Sequence, residues 1–119
     1  MSPRATVEAW AEAFNAADVD RLAALYAPDA VNHQVVEAPI EGREAIRAMF
    51  AREFALAEMV CLVEAIYEDG DCAILEWRDP LGLRGCGFFH VRDGRIVFQR
   101  GYWDRLSFVR QHGLPLPTE

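Results

Sequence analysis

Apolar residues at helical spacing fill the first half of the chain. They predict three helices, which start after Ser2, Asp18 and Gly42. The second helix is short and extends through Tyr26 before Ala27-Pro28-Asp29 ends it. Residues 30–36 then predict a strand. The large side chains on the inward faces of the first and third helices are Trp10, Phe14, Met49 and Phe50.

From residue 57 onward the apolar period changes from that of a helix to that of a strand. The pattern predicts four strands, at about residues 58–67, 72–78, 83–92 and 95–104. Tight-turn sequences such as Arg92-Asp-Gly-Arg95 connect them, and turns of this kind join antiparallel neighbours. A short helix over residues 106–111 follows. This order predicts one α+β domain over residues 1–119, with the N-terminal helices packed on one face of a curved antiparallel sheet.

The last predicted strand does not alternate cleanly between apolar and polar residues. Arg100 shares one parity with Phe98, whereas Gln99 shares the other with Trp103. A strand with one solvated face would separate these classes. Both faces of this strand are therefore partly covered, which indicates a lined cavity, an interface, or both.

Composition and charge narrow the classes of partner. The chain has 119 residues, of which 52% are hydrophobic, so it can bury a substantial core. No apolar run approaches the roughly 20 residues of a membrane span, and no signal-peptide core is present, so we expect a cytoplasmic protein without a membrane partner. The net charge of −7 argues against nucleic acid. Small neutral or cationic ligands are expected instead.

The cysteines and histidines do not form a metal-binding pattern. No pair of them has the spacing of metal ligands. We therefore expect no metal and no cofactor, and we expect the cysteines to be buried free thiols. The residues concerned are Cys61, Cys72, Cys86, His33, His90 and His112.

Three motifs, together with the order of the elements, resemble the NTF2-like superfamily. They are the run from Asn15 to Ala30, the segment Glu41-Gly-Arg-Glu-Ala-Ile46 and the hairpin Asp93-Gly-Arg-Ile96. Within the superfamily the chain is most similar to the SnoaL-like branch, the polyketide-cyclase relatives, over essentially its whole length. The resemblance implies an NTF2-like cone. It does not imply a reaction, because this fold hosts isomerases, cyclases, hydrolases and binding modules.

The resemblance to ketosteroid isomerase does not extend to its catalytic residues. The catalytic tyrosine corresponds to Trp10 and the base aspartate to Gln34. An indole N–H has no useful acidity, and an amide cannot accept a proton near neutral pH. The oxyanion-stabilising aspartic acid falls near Phe89. That mechanism is therefore absent.

The resemblance to limonene epoxide hydrolase is partial. Its water-holding tyrosine and asparagine correspond to Asn32 and Gln34, and its acid aspartate corresponds to Asp79. Its arginine corresponds to Trp77. Its base aspartate corresponds to Gly101, where SnoaL-type cyclases also keep an aspartate. Without that base, nothing at this position can activate water.

The same correspondence predicts which side chains point into the cone. It implies a mostly aromatic cavity with a few polar groups, which is typical of a small-molecule site. Gly101 leaves room there for a ligand or for Trp77 and Trp103. Gln34 and Gln99 can bond a ligand, each other or the backbone. The predicted ligand-binding residues are Trp10, Phe14, Asn32, Gln34, Met49, Phe50, Trp77, Gln99, Gly101 and Trp103.

Each candidate catalytic residue also has a structural interpretation. Asp79, before Pro80, is either an acid or the start of a turn. Asp104 either faces the cavity or caps the terminal helix. His33 has outward parity, so it is either a residue of the sheet surface or an interface, or a base.

The outer face of the sheet is the predicted interface. It carries too much aromatic surface to stay exposed, which indicates a homodimer through this face. Its predicted members are Phe88, His90, Ile96, Phe98, Arg100 and Tyr102.

Two functions remain open from the sequence. The first is binding of a small hydrophobic or aromatic molecule without the known catalytic sets of the fold. The second is an isomerase, cyclase or hydratase/hydrolase that uses Asp79 as acid or base, while Asn32 and Gln34 orient the substrate or a water.

Overall fold

The computed structural model describes residues 1–116, so the last three residues of the predicted domain lie outside the described part. The helices pack against a single sheet, and the predicted α+β fold class is confirmed. In chain order the elements are α1 (Pro3–Asn15), α2 (Val19–Ala24), β1 (Tyr26–Gln34), β2 (Ile40–Glu41), α3 (Arg43–Leu56), β3 (Leu62–Asp69), β4 (Cys72–Arg78), β5 (Arg84–Arg92), β6 (Arg95–Trp103) and α4 (Arg105–Gln111).

The six strands form one sheet in the order β2-β1-β6-β5-β4-β3. The meander β3 to β6 is antiparallel as predicted. β1 pairs with β6 in parallel, so the sheet is mixed. The two-residue strand β2, which the sequence pattern does not indicate, pairs with β1 and begins the return of the chain towards α3.

The helices begin where their capping residues predict. The Ser2 hydroxyl accepts a hydrogen bond from the Ala5 N–H at 3.1 Å, and the Asp18 carboxylate accepts one from the Arg21 N–H at 3.1 Å. Gly42 precedes α3 with φ of 91°, a conformation that favours glycine. None of the helices described is long and apolar enough to span a membrane.

The second helix ends earlier than predicted. α2 stops at Ala24, and Tyr26 is the first residue of β1 instead of the last inward residue of the helix. Tyr26 pairs with Ile96 across the parallel ladder and is fully buried. Burial of the ring in the core, together with strand pairing, outweighs the helical spacing of this short segment.

Ile96 lies in the core, so its predicted place on the outer face is wrong. The β5–β6 register shifts between His90 and Val91: His90 pairs with Phe98, whereas Val91 pairs with Ile96. Val97 is thus an extra residue on β6. Because of it, Ile96 and Phe98 lie on opposite faces of the sheet although they are two residues apart. Ile96 is 0% exposed as a result.

The segment before β3 is irregular, although the pattern predicts a strand from residue 58. Asn15 holds the backbone of Cys61: its Nδ2 donates to the Cys61 carbonyl at 2.8 Å, and its Oδ1 accepts from the Cys61 N–H at 2.7 Å. These bonds replace the ladder bonds that a strand would make. Residues 57–61 line a cavity instead.

Candidate functional site

A cavity of about 1110 Å³ lies between the helices and the concave face of the sheet. α1 and α3 supply one wall and the strands β1, β4, β5 and β6 supply the other. All ten residues predicted to bind a ligand line this cavity; whether they bind one stays a prediction. The aromatic side chains in its wall are Trp10, Phe14, Phe50, Trp77, Phe89, Trp103 and Phe108.

The inner aromatic wall is also part of the hydrophobic core. The Trp10 ring stacks on Phe14 with centroids 5.0 Å apart and meets Phe89 edge-on at 5.2 Å. Trp10, Phe14, Phe50 and Met49 are all buried. These side chains therefore belong to the core and also line the cavity, and their contact with a ligand stays a prediction.

A relay of hydrogen bonds runs along the sheet side of the cavity. Trp103 Nε1 donates to Gln34 Oε1 at 3.0 Å, and Gln34 Nε2 donates to Asn32 Oδ1 at 2.9 Å. An indole N–H can only donate, so it fixes which way each amide points. The Nδ2 of Asn32 is left at the end of the relay. Asn32 is 1% exposed, and this nitrogen has no partner within residues 1–116.

Gln34 occupies the space beside Gly101. The two residues are direct neighbours in the parallel β1–β6 ladder. A Cβ built on Gly101 would lie 2.7 Å from Gln34 Cδ and closer still to Oε1. The prediction that Gly101 leaves room for a ligand or for Trp77 and Trp103 is therefore wrong. Trp77 instead covers Gly85, where a Cβ would lie 2.5 Å from the ring.

A second hydrogen-bonded chain runs from α1 to the sheet through the buried Tyr26, beside the cavity. Trp10 Nε1 donates to the Tyr26 hydroxyl at 2.9 Å, and that hydroxyl donates to Gln99 Oε1. Burial of Tyr26 raises the pKa of its phenol far above the usual value, so the hydroxyl stays protonated. Because the Gln99 oxygen is engaged, its amide nitrogen remains as a donor in the cavity wall.

Asp79 lines the cavity where β4 ends, and it has the turn role predicted as its structural alternative. Its Oδ1 accepts hydrogen bonds from the backbone N–H groups of Leu81 and Leu83, both at 2.9 Å. The carboxylate thereby holds the β4–β5 turn. Its catalytic role stays a prediction.

Asp104 and His33 are not among the residues that line the cavity in the described part of the chain. Asp104 caps α4 and accepts hydrogen bonds from Leu106 and Ser107; the Ser107 hydroxyl in particular lowers the pKa of this carboxyl. His33 pairs across the ladder with Arg100 and is half-buried on the outer face. The structure thus places both away from the cavity wall.

Glu53 is a cavity carboxylate that the sequence pattern did not single out. It lies on α3 one turn after Phe50 and is half-buried. Burial raises the pKa of its carboxyl; nearby Glu37 raises it further, and Arg52 lowers it. Its spacing is the sequence signal that could have indicated a position facing the cavity. Glu53 is three residues from Phe50 and seven from Ile46, both on the apolar face of α3.

The thiols in the structure are free, and their burial differs from the prediction. Cys61 is buried and lines the cavity, whereas Cys72 and Cys86 are only half-buried. Burial raises the pKa of the Cys61 thiol to about 12, which keeps it a weak nucleophile. Within residues 1–116 no group of three or more His, Cys, Asp or Glu side chains could hold a metal ion.

Several solved structures resemble the chain over nearly its whole length. A hypothetical protein with a ketosteroid isomerase-like fold from Catenulispora acidiphila, in complex with trimethylamine, has a TM-score of 0.83 and 24% identity, covering 97% of this chain and 96% of that one. An LEH-like epoxide hydrolase from Mycobacterium tuberculosis has a TM-score of 0.78 and 27% identity, covering 89% and 85%. A SnoaL-like protein of unknown function from Burkholderia thailandensis has a TM-score of 0.78 and 18% identity, covering 86% and 94%.

These likenesses agree with the mixed sheet and its helical cover. No curated protein matches the chain. The family model for the SnoaL-like domain matches residues 7–99, which extend from the first turns of α1 to Gln99 in β6 and include most of the cavity wall. The chain therefore belongs to the SnoaL-like domain family.

Proposed function

We propose that this protein binds a small, mostly apolar or aromatic molecule in the cavity, without the catalytic sets of its relatives. The observation that carries the proposal is the unpaired Nδ2 of Asn32 in a largely aromatic wall. Pockets of this kind take apolar ligands and use a few polar groups to orient them. The Catenulispora protein, whose structure is a complex with trimethylamine, supports small-molecule binding by this fold.

The Asn32 amide indicates the polar feature that the ligand carries. A buried donor without a partner costs about 1–3 kcal/mol, and an acceptor placed next to it recovers part of that free energy. Trp103 and Gln34 hold the amide so that it donates. The ligand is therefore expected to carry an acceptor oxygen, such as a carbonyl or hydroxyl, on an apolar body.

The alternative function, an isomerase, cyclase or hydratase/hydrolase with Asp79 as acid or base, has less support. One oxygen of the Asp79 carboxylate, Oδ1, already accepts two backbone hydrogen bonds, which leaves only Oδ2 to act on a substrate. The Asn32 amide would orient the substrate or a water in this alternative, and it presents the same donor group as in the binding function. The geometry thus favours binding over acid-base chemistry.

Acetophenone is expected to bind more tightly than ethylbenzene, which lacks the acceptor oxygen. One hydrogen bond to Asn32 corresponds to roughly a three- to tenfold difference in affinity. Asn32→Leu, which keeps the volume but removes the donor, is expected to abolish this difference. Titration by tryptophan fluorescence, with thermal shift as a second readout, measures both ligands.

His33→Leu is the matched control for this experiment. His33 is adjacent in sequence but faces the other side of the sheet, so the preference for acetophenone should persist in this variant. The same variant tests the predicted role of His33 as a base. If His33 is a base, the protein catalyses a reaction that His33→Leu abolishes. Equal affinities of the two compounds for the unmodified protein would contradict the proposal.

We also propose that two copies associate through the outer face of the sheet. Arg100 lies over the rings of Phe88 and Tyr102, at 4.6 and 5.8 Å from their centroids, and its Nε is buried without a partner within residues 1–116. Tyr102 is 42% exposed. A twofold interface would cover these rings and could bring an acceptor to Arg100.

Tyr102→Arg is expected to weaken the dimer at least about tenfold, because it brings like charges together across the twofold axis. Light scattering coupled to gel filtration measures the change from twice the 13.4 kDa chain mass to the monomer mass. Leu106→Arg, at an equally exposed position on α4, is the control and should remain dimeric. A monomeric unmodified protein would contradict the proposed dimer.

A further inference from the structure

The cavity wall is acidic as well as aromatic. Of the charged side chains that line it within residues 1–116, four are carboxylates and Arg52 is the one guanidinium; His112 also lies in the wall. The carboxylates are Glu37, Glu53, Glu58 and Asp79. This imbalance has the same sign as the net charge of −7, so the electrostatic field of the whole chain favours entry of a cation.

Glu53 differs from the other three carboxylates. Glu37 and Glu58 are exposed, and Asp79 holds a turn, whereas Glu53 is half-buried on the cavity side of α3. It takes part in none of the four salt bridges found within residues 1–116. A partly desolvated carboxylate without an ion-pair partner interacts more strongly with an incoming cation than a fully hydrated one does.

The surroundings of Glu53 suit an organic cation. Phe50 lies one turn earlier on α3, and its ring is within 6.4 Å of the Trp10 ring and 6.2 Å of the Phe14 ring, centroid to centroid. The faces of aromatic rings attract ammonium groups. Independently of these charges, the unpaired and buried Asn32 amide offers a donor on the sheet wall to an acceptor group of a ligand.

We propose that Glu53 makes the cavity selective for a protonated amine with an aromatic or other apolar body. This inference rests on the proposed small-molecule binding and assigns a charge class to the ligand. The ammonium group lies against Glu53 on the helical wall, and the apolar body packs among the aromatic rings. An acceptor oxygen, where the ligand carries one, bonds Asn32 on the sheet wall.

Three compounds that share a phenyl ring and a two-carbon chain test the charge preference. They are 2-phenylethylamine, which is a cation near neutral pH, 2-phenylethanol, which is neutral, and phenylacetate, which is an anion. Tryptophan fluorescence or calorimetric titration is expected to give affinities in that order. The amine should bind at least roughly tenfold more tightly than the alcohol, the factor expected for one charge-assisted hydrogen bond.

Glu53→Gln identifies the residue responsible. It removes the charge at nearly constant volume, and the amine is then expected to bind within about threefold of the alcohol. Glu44→Gln, on the first turn of the same helix and away from the cavity wall, makes the same change in net charge and should leave the preference intact. Glu53→Gln should fold, because it removes a carboxylate whose burial is unfavourable at neutral pH.

Acidification provides a test that needs no variant. The pKa of Glu53 is raised by its burial, so its charge is lost as the pH falls towards the usual range of a glutamate, at a higher pH than for an exposed glutamate. The affinity for 2-phenylethylamine should fall in that range, whereas that for the alcohol should change little. Glu37, Arg52, Glu58, Asp79 and His112 face the same cavity, so the part of the decrease that Glu53→Gln removes is the part due to Glu53.

The outcomes separate this inference from the proposed function. An alcohol that binds as tightly as the amine, or an amine preference that survives Glu53→Gln, overturns the role of Glu53 while leaving small-molecule binding in place. Failure of all three compounds to bind at millimolar concentration, together with failure of acetophenone, overturns both.

Discussion

Gly101→Asp is expected to lower the free energy of unfolding by about 3 kcal/mol, combining the hydrogen bonds lost when Gln34 moves aside with the burial of a carboxylate. The new Cβ would overlap the Gln34 amide, which therefore has to move. Its departure leaves the Trp103 indole N–H and the Asn32 oxygen without their partner. Chemical denaturation followed by circular dichroism measures the loss.

Gly87→Asp is the matched control, because Gly87 lies directly opposite Gly101 in the β5–β6 pair and also lines the cavity. The closest atom to a Cβ there is at the edge of the Phe89 ring, at 3.2 Å, and the Arg100 carbonyl oxygen follows at 3.9 Å. The loss should be smaller, about 1–2 kcal/mol, and due mainly to the buried charge.

Gln34→Ala tests the mechanism of the Gly101→Asp effect. In the double variant the amide is already absent, so the loss should be about 1–2 kcal/mol less than the sum of the two single losses. Strict additivity would show that Gln34 is not what excludes a side chain at position 101.

The contact between Gln34 and Gly101 bears on how this chain relates to catalytic members of its fold. The resemblance matches Gly101 to an aspartate in epoxide hydrolases and cyclases, and the structure has an amide in the adjoining space. The relatives' aspartate can accept a proton, whereas the Gln34 amide cannot. The Gln34 amide instead fixes which atom of its hydrogen-bonded neighbour acts as the donor. A wall that presents a donor is suited to holding an acceptor ligand in one orientation.

Local sequence signals are sufficient for the helix starts, whereas the predicted part of the cavity lining also requires the family resemblance. Ser2 and Asp18 mark helix starts through hydrogen bonds to residues close in sequence, and Gly42 does so through its own backbone conformation, so no tertiary information is needed. The inward positions of Asn32 and Gln34 follow from strand parity once the family resemblance aligns the strands. Parity alternates with a period of two, and it holds as long as the ladder is regular.

Features that depend on contacts distant in sequence were not predictable. The bulge at Val97 reverses parity, and only the pairing with β5 shows it, so Ile96 was assigned to the wrong face. The parallel pairing of β1 with β6 likewise joins segments about 70 residues apart. Gln34 reaches Gly101 only because this pairing sets them side by side.

Glu53 was not singled out for a different reason. A charged residue near the end of a helix is usually solvated, so its spacing from Phe50 carries little weight alone. Only the position of α3 over the cavity places this carboxylate in the wall of a largely aromatic cavity. The charge preference of the site is thus a property of the tertiary structure.

Tyr26→Phe is expected to lower the free energy of unfolding by about 2–4 kcal/mol, more than the loss of one hydroxyl group would suggest. The Tyr26 hydroxyl both accepts from Trp10 and donates to Gln99, and all three side chains are buried. Phenylalanine fills the same space but leaves a donor and an acceptor unpaired, each costing about 1–3 kcal/mol. Urea denaturation measures the change.

Tyr102→Phe is the control, because that hydroxyl belongs to a ring that is 42% exposed and the loss should be near zero in the monomer. An equally small loss in Tyr26→Phe would mean that water replaces the hydroxyl, and the cavity would then be wet at its core. A large loss would mean that the helix-to-sheet connection through Trp10 and Gln99 stays dry. In that case the Gln99 amide keeps a fixed direction, and the cavity presents two oriented donors, from Gln99 and Asn32, to one ligand.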